Sequence, residues 1–370
     1  MSFTASDRQY MTTALELASR GMASCMPNPQ VGCVLVRDDK IVGRGWHQQT
    51  GGPHAEVFAL EQAGDQARGA TAYVSLEPCA HQGRTPACSQ ALIAAGVKRV
   101  VVAMEDPYYE VSGRGIEQLK QAGIRVECGL LAAEASWQNR GFIHRCQQQR
   151  PWVRLKMAAS VDGKTALKNG QSQWITAAPA RADVQQLRAR SGAILTGIGT
   201  VLADKPRMTL RLPDTNRQPL RIILDSHWQT PANAPILTAP GTVMIAGLEG
   251  TAVPEKLQAA CAKYGHECLG LAPVNKGLDL IQLLGLLTDW QINEVQIEAG
   301  AVLAGSFISA GLVDELVVYQ APKLMGDAAK AMFVLEELTS MEQVNDWHWQ
   351  DVTKIGNDLR LTLTPIPIKN

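Results

Sequence analysis

The chain has 370 residues, which at roughly 150 residues per domain predicts two domains. Its 46% hydrophobic and 19% charged content lets both halves bury a core and argues against long disordered tracts. The 35 basic residues balance the 35 acidic ones, and with neither a basic excess nor a basic stripe, nucleic acid is not expected as a partner.

At the N-terminus Asp7 and Arg8 precede any apolar run, and no secretory segment follows. Apolar stretches such as Ala193 to Ala203 are too short and too glycine-rich to span a bilayer, so a soluble, cytoplasmic protein is expected. The first helix is predicted over Ser6 to Arg20, where Met11, Ala14, Leu15 and Ala18 share one face and Gly21 stops it. Val31 to Val36 and Ile41 to Gly45 flank Asp38-Asp39-Lys40 and read as a hairpin. Then come helix His54 to Ala63, strand Thr71 to Leu76, helix Pro86 to Ala95, strand Arg99 to Met104, helix Gly115 to Ala122 and strand Ile124 to Glu127. A polar, largely helical stretch from Leu131 to Gln149 leads to Pro151, and the domain boundary is placed there, giving domains 1–149 and 150–370.

The second half opens with strand Trp152 to Met157 and helix Pro179 to Arg190, followed by strand Ala193 to Thr196 and a glycine-rich turn. Strands Leu220 to Leu224 and Thr242 to Ala246 come next, then helices near Pro254 to Lys263 and Leu278 to Leu287. Strand Glu294 to Ile297 runs through Glu298-Ala-Gly300 into a helix, and Asp314 to Tyr319 and Asp358 to Leu363 read as closing strands. Strands alternating with helices predict an α/β fold with a largely parallel sheet. The eight cysteines are too scattered for a disulfide framework and are expected to be mostly free and buried, with Cys33 and Cys128 in strand cores.

The chemistry concentrates at His54-Ala55-Glu56, Pro78-Cys79 and Cys88. Zinc favours imidazole and thiolate ligands in a tetrahedron, and His54, Cys79 and Cys88 supply three, leaving a corner for water. Glu56, two residues past the histidine, is the natural proton carrier of a zinc deaminase, in which that glutamate is no ligand. The cysteines stand wider apart than the two-residue gap of the usual motif, so a loop through Gly83 and Pro86 has to return to the metal. A closed structural site with His81 as fourth ligand is the competing reading, although it gives Glu56 no use.

Two nucleotide motifs fail. In Ser160-Val-Asp-Gly-Lys164 the first glycine of a P-loop would fall at Ala158, and after Gly197-Ile-Gly199 a leucine, Leu202, replaces the last glycine of the dinucleotide fingerprint. Glycine after the strand Glu294 to Ile297 fits either a tight turn or a phosphate site at a helix N-terminus.

Pro27-Asn-Pro29, His47, Gly51-Gly-Pro-His-Ala-Glu56 and Leu76-Glu-Pro-Cys79 with His81-Gln-Gly-Arg-Thr-Pro86 together resemble the bifunctional riboflavin-biosynthesis deaminase/reductase family. Ser160 to Lys164, Ser172 to Thr176, Leu202-Ala-Asp204 and Glu298-Ala-Gly300 extend the resemblance over nearly the whole chain. It implies a cytidine-deaminase-like αβα three-layer domain followed by a dihydrofolate-reductase-like α/β domain. It implies zinc-dependent deamination of 2,5-diamino-6-(5-phosphoribosylamino)pyrimidin-4-one, then reduction of the product's ribosyl group to ribityl by NADPH.

By the same resemblance Ala158, Trp174, Thr200, Asp204, Ser226 and the run Gly300, Ala301, Val302, Leu303, Ala304, Gly305 and Ser306 would line the NADPH site. Ser172, Arg188, Met208, Arg211 and Glu298 would meet the substrate, and a homodimer or tetramer is implied. Asn28 and His47 are substrate contacts or turn residues, and Lys156 and Asp162, near the start of the second domain, carry no assigned role. A deaminase acting on nucleic acid would need a basic, aromatic-lined groove, which the balanced charge speaks against. A non-enzymatic module would need a closed zinc site.

Overall fold

A computed structural model of the chain describes residues 3–80, 87–108, 112–213, 215, 217–274 and 277–366. It divides into two compact units, Met1–Gln149 and Arg150–Asn370. No helix among the described residues is long and apolar enough to cross a membrane.

In the first unit the chain runs α1 (Ala5–Ser19), β1 (Gly32–Arg37), β2 (Lys40–Trp46), α2 (Ala55–Ala63), β3 (Thr71–Val74), α3 (Cys88–Ala94), β4 (Arg99–Val102), α4 (Arg114–Gln121), β5 (Arg125–Cys128), α5 (Ala132–Gln138) and α6 (Arg140–Gln148). Thr4 and Asp7 cap α1 reciprocally, each side chain bonding the other's backbone N–H. Asp38 and Asp39 both take positive φ, 48° and 57°, the geometry that a two-residue hairpin between β1 and β2 requires. The sheet order is β2-β1-β3-β4-β5, with β1 antiparallel to both neighbours and β3, β4 and β5 parallel. Alternation along β1 separates two cores. Cys33 and Leu35 face Ala55, Ala59, Leu92 and Leu119, while Val34 and Val36 face Met11, Ala14 and Leu17. Helices thus cover both faces, and the unit is an αβα three-layer structure. Gly45 lets α2 lie directly on β2, since a Cβ there would stand 2.1 Å from the Ala55 carbonyl oxygen.

The second unit contains β6 (Trp152–Ser160), β7 (Lys164–Ala166), α7 (Ala178–Arg190), β8 (Ala193–Gly197), α8 (Ile198–Asp204), β9 (Leu220–Leu224), α9 (Pro235–Thr238), β10 (Val243–Leu248), α10 (Glu255–Tyr264), β11 (Glu267–Leu271), β12 (Pro273–Val274), β13 (Gly277–Leu278), α11 (Leu280–Asp289), β14 (Glu294–Ile297), α12 (Ala301–Ser309), β15 (Glu315–Ala321), β16 (Lys330–Ala331), β17 (Trp347–Ile355) and β18 (Asp358–Pro365). Its main sheet has the order β11-β10-β9-β8-β14-β6-β15-β18-β17. The strands from β11 to β15 are parallel, and β18 and β17 close the sheet antiparallel. The chain builds outward from β8 through β9 and β10 to β11, then returns to insert β14 between β8 and β6. That reversal creates a crevice at the carboxyl ends of β8, β14 and β6, the position where open α/β sheets bind ligands.

One face buries Leu155, Leu195, Ile222 and Ile297 under α11 and α12, and the other buries Ile194, Ile223 and Ile245 with α9 and α10, and Val317 and Tyr319 with α7. Arg154, fully buried on β6, bonds Glu294 at 2.5 Å and Glu315 at 3.1 Å, so one guanidinium bridges carboxylates on both neighbouring strands, and Arg190, 3.2 Å from Glu294, supplies the second positive charge that balances them.

Two expectations fail, and one strand goes unforeseen. The glycine-rich turn after β8 is the short helix α8: Gly197 is its N-cap and Gly199 lies in the first turn, where backbone N–H groups need no helical partner. Strand β17 carries no apolar period because most of it faces solvent; it forms through backbone pairing with β18 and bulges between Trp349 and Asp351. Cys128 ends an edge strand and is exposed, and Cys268 is also exposed, so only half of the eight cysteines, all of them free, are buried.

Candidate active sites

In the first unit, His54 is the extended N-cap residue of α2, and Glu56 falls in that helix's first turn. Cys79 follows β3, and Cys88 opens α3. His54 Nδ1 lies 3.2 Å from Cys88 Sγ and 3.6 Å from Cys79 Sγ, and the three ligand atoms all stand within 4.8 Å of one another. Zinc bonds of about 2.3 Å to sulfur and 2.0–2.1 Å to nitrogen at tetrahedral angles require N···S separations of about 3.6 Å. The donor set and its spacing therefore fit a tetrahedral cation. His81, Gly83 and Pro86, named above as an alternative ligand and as loop formers, lie outside the described residues.

The electrostatics suit the same occupant. The hydrogen bond with Cys88 holds Cys79 towards the thiolate, against burial and with help from His54, while the same contact and burial push Cys88 up. Cys79 Sγ also accepts the Cys88 N–H at 3.3 Å, which favours the anionic sulfur that a divalent cation needs. Contact with Cys79 raises His54, with burial opposing. Glu56 is 2% exposed, its Oε2 has no hydrogen-bond partner among the described residues, and burial pushes its carboxyl up to about 7. A buried carboxylate oxygen without a donor is costly, and beside a metal cluster it is placed to receive a proton.

His47 packs edge-on against His54, with ring centroids 5.4 Å apart. Its Nδ1–H donates to the Pro53 carbonyl at 3.1 Å, which leaves Nε2 to accept from Asn28 Nδ2 at 3.1 Å. Burial lowers the His47 pKa, against the Pro53 bond and with help from His54, and the two hydrogen bonds fix the ring's tautomer. Asn28 and His47 thus form one wall beside the cluster.

In the second unit the crevice gathers a charged group. Arg188, in the last turn of α7, grips Glu298 with both arms at 2.7 and 3.0 Å and donates its remaining terminal nitrogen to the Thr209 carbonyl at 2.8 Å. It is buried, not the solvated helix residue its type suggests. Lys156 Nζ stands 3.7 Å from Glu298, and although burial opposes ionisation, Arg188 and Lys156 hold the Glu298 carboxyl far below the usual range. Arg211 is exposed, and its pKa is lowered by burial and by repulsion from Arg188 and Arg207.

Other expected residues occupy different ground. Met208 has a left-handed φ of 52° and buries its side chain with Ile223 and Trp228, so only its backbone is left to meet a ligand. Gly300 caps α12 close to Thr200, whose Oγ1 lies 4.0 Å from where a Gly300 Cβ would stand. The first bond of the helix runs from Ala304 N–H to the Gly300 carbonyl, which leaves the N–H groups of Ala301, Val302 and Leu303 ahead of the ladder. Ala304 and Gly305 face the core, Gly305 against the Val334 carbonyl, and the Ser306 hydroxyl donates to Val302. Trp174, 63% exposed, carries the Arg181 guanidinium 4.3 Å over its ring. Ala158 lies on β6, and Ser172 is half-buried ahead of α7. Among the described residues no hydrogen bond or ion pair links Asp204 or Ser226 to the Arg188–Glu298 group. Asp162 ties its own loop to Met325 and Gly326 N–H, at 3.0 and 2.8 Å.

Several residues with a part in these sites carry little sequence signal. Gln185, one helical turn before Arg188, accepts the Arg211 N–H at 2.9 Å, and Gln296 donates to Glu298 at 2.8 Å. Among the described residues buried Arg221 meets no carboxylate and donates to carbonyls, Arg207's among them at 3.1 Å. Together with Gln218 on Leu210, these bonds fix the 207–211 loop from several sides. The spacing of Gln185 and Arg188 is readable in advance; the carbonyl targets are not.

A three-layer unit with a His/Cys/Cys cluster, joined to a parallel α/β unit with a charged crevice, defines a deaminase–reductase class of enzyme. Residues 4–104 match the cytidine and deoxycytidylate deaminase zinc-binding region, and residues 151–361 match the RibD C-terminal domain. The chain is 46% identical to the riboflavin biosynthesis protein RibD of Escherichia coli K12, over 96% of this chain and 99% of that protein, and 42% identical to the protein of the same name from Haemophilus influenzae, over 99% of each. Among solved structures, Acinetobacter baumannii RibD, form 1, matches with a TM-score of 0.88 and 46% identity, covering 98% of this chain and 99% of that one. A Thermotoga maritima diaminohydroxyphosphoribosylaminopyrimidine deaminase/5-amino-6-(5-phosphoribosylamino)uracil reductase matches with a TM-score of 0.85 and 31% identity, over 98% and 99%. The chain belongs to the RibD family of riboflavin biosynthesis proteins.

Proposed function

We propose that the chain performs two consecutive steps of riboflavin biosynthesis: hydrolytic deamination of 2,5-diamino-6-(5-phosphoribosylamino)pyrimidin-4-one in the first unit, then NADPH-dependent reduction of the product's ribosyl group to ribityl in the second. The observation that carries the reading is Glu56, buried with an unpaired Oε2 beside His54, Cys79 and Cys88.

The three ligands would hold one zinc ion, which when bound would acidify a water in its open corner. Glu56 takes the proton of the attacking water, passes it to the ring nitrogen and so helps ammonia leave. His47, its tautomer set by Pro53 and Asn28, shapes the pocket, and the Asn28 amide oxygen is left to face the pyrimidine.

In the second unit NADPH would supply the hydride, and the protein's task is position. Ala301, Val302 and Leu303 offer backbone N–H groups and a positive helix end to a cofactor phosphate, and Gly300 removes the side chain that would block it. Trp174, Thr200, Ala158, Asp204 and Ser226 complete the cofactor assignment, and Ser172 and the Met208 backbone join the substrate side. Three arginines, Arg188, Arg207 and Arg211, with Lys156 against the single carboxylate of Glu298 leave the crevice net positive, which suits a ribose phosphate. A cytoplasmic homodimer or tetramer is part of the same reading, and sedimentation at working concentration tests it.

The test is to give the full chain the diaminopyrimidine phosphoriboside with NADPH. Ammonia release followed by NADPH consumption is expected. NADPH consumption without prior ammonia release would contradict the order of steps.

A further inference from the structure

Glu77 stands two residues before Cys79, nearly fully buried. Its carboxylate is met by four backbone N–H groups: Oε2 accepts from Asp106 at 3.1 Å and Gly113 at 2.9 Å, and Oε1 from Gly115 at 2.9 Å and Ile116 at 3.2 Å. These donors belong to the segment after β4 and to the first turn of α4. The free N–H groups of a helix start are thereby tied to the strand end that delivers the cysteine.

The consequence reaches the ligands. A Cβ on Gly115 would stand 1.8 Å from the Pro78 carbonyl oxygen, so the backbone of α4 lies directly on the peptide joining Pro78 to Cys79. From the next turn Gln118 donates to the Ala80 carbonyl at 3.3 Å and accepts from the Ser89 hydroxyl at 2.6 Å. Ser89, next to Cys88, gives its N–H to the Cys79 carbonyl at 3.2 Å. One helix start therefore braces both cysteine ligands, and Glu77 is what fastens it.

We propose that Glu77 is a positioning residue of the metal site: by clamping the start of α4 under Pro78–Cys79 it sets Cys79 Sγ where it can share a cation with His54 and Cys88. This rests on the metal-dependent reading of the first unit. An aliphatic residue could fill the same space but could not satisfy four converging donors.

The test uses the full chain and its Glu77→Gln variant. The amide keeps the shape but turns an NH₂ group towards backbone N–H donors. Zinc affinity is measured by competition with a chromogenic chelator, and the cobalt-substituted protein gives the ligand-field spectrum. Groups that orient metal ligands typically contribute about 10–100-fold in metal affinity, and a loss of that size is expected with a shifted cobalt spectrum and a cooperative thermal transition retained. Wild-type affinity with an unchanged spectrum would overturn the proposal, and so would an affinity loss that only tracks the fraction unfolded. Should that variant not fold, Gln118→Ala carries the test: a smaller loss in the same direction supports the brace, and unchanged affinity and spectrum overturn it. A wild-type chain that binds no zinc would instead overturn the metal reading itself, and this inference with it.

Discussion

Side chains in the first unit divide the labour sharply. His54, Cys79 and Cys88 present one ligand atom each, and Glu56 remains beside them with an oxygen that has no donor among the described residues. Replacing Glu56 by Gln removes the proton carrier while leaving the three ligands in place. Zinc content should stay that of the wild type and deamination should fall by about 10²-fold or more, measured as ammonia release with metal analysis on the same sample. Full activity at full zinc would refute the role. In the second unit Arg211 is the exposed arginine next to the Arg188–Glu298 pair. Arg211→Ala should raise the KM for the phosphoribosyl substrate about tenfold or more and leave the KM for NADPH nearly unchanged, because the proposed charged hydrogen bond to phosphate would be lost while α12 is untouched. Equal weakening of both would contradict the assignment. The clustered residues were legible because zinc chemistry restricts the types that could serve as ligands and because strand ends and helix starts are marked locally, as at Pro78-Cys79 and His54-Ala55-Glu56. Glu77 was not, since its partners are backbone groups 29 to 39 positions away, which leave no side-chain signature.

At the level of elements, the site depends on how closely α2 can approach β2. The helix begins one residue after His54, and Gly45 gives it room, with the Ala55 carbonyl 2.1 Å and Phe58 Cβ 2.8 Å from a built Cβ. Gly45→Ala should push the start of α2 outward. The expected cost is about 1–3 kcal/mol of first-unit stability together with weaker zinc binding, read by denaturant unfolding and chelator competition. A variant as stable as the wild type with unaltered zinc affinity would contradict this dependence. Most elements were readable from period and punctuation: β9 and β14 begin and end where the apolar runs do, and Gly96 with φ 72° stops α3 as a helix-closing glycine should. The failures have physical causes. In α8 two glycines mimic a turn but sit where a helix start tolerates them, and in β17 an edge position removes the burial that writes a strand pattern into sequence.

The molecule as a whole joins two cores of different logic. The first spreads a short mixed sheet between helical layers and places its site where α2, β3 and α3 meet. The second builds a long parallel sheet and has its candidate site at the reversal of strand order. Each unit has its own buried clusters, so the chemistry assigned to one does not need the metal of the other. The central claim is that one metal-dependent hydrolytic site and one cofactor-dependent reductive site share this chain. The most direct measurement is to strip metal from the full-length protein with a chelator, supply either the diaminopyrimidine substrate or its deaminated product, and follow ammonia and NADPH together. The account predicts that ammonia release stops and returns with added zinc, while NADPH is still consumed on the deaminated product. Continued ammonia release from metal-free protein, or a reductase that fails with the metal gone, would contradict it.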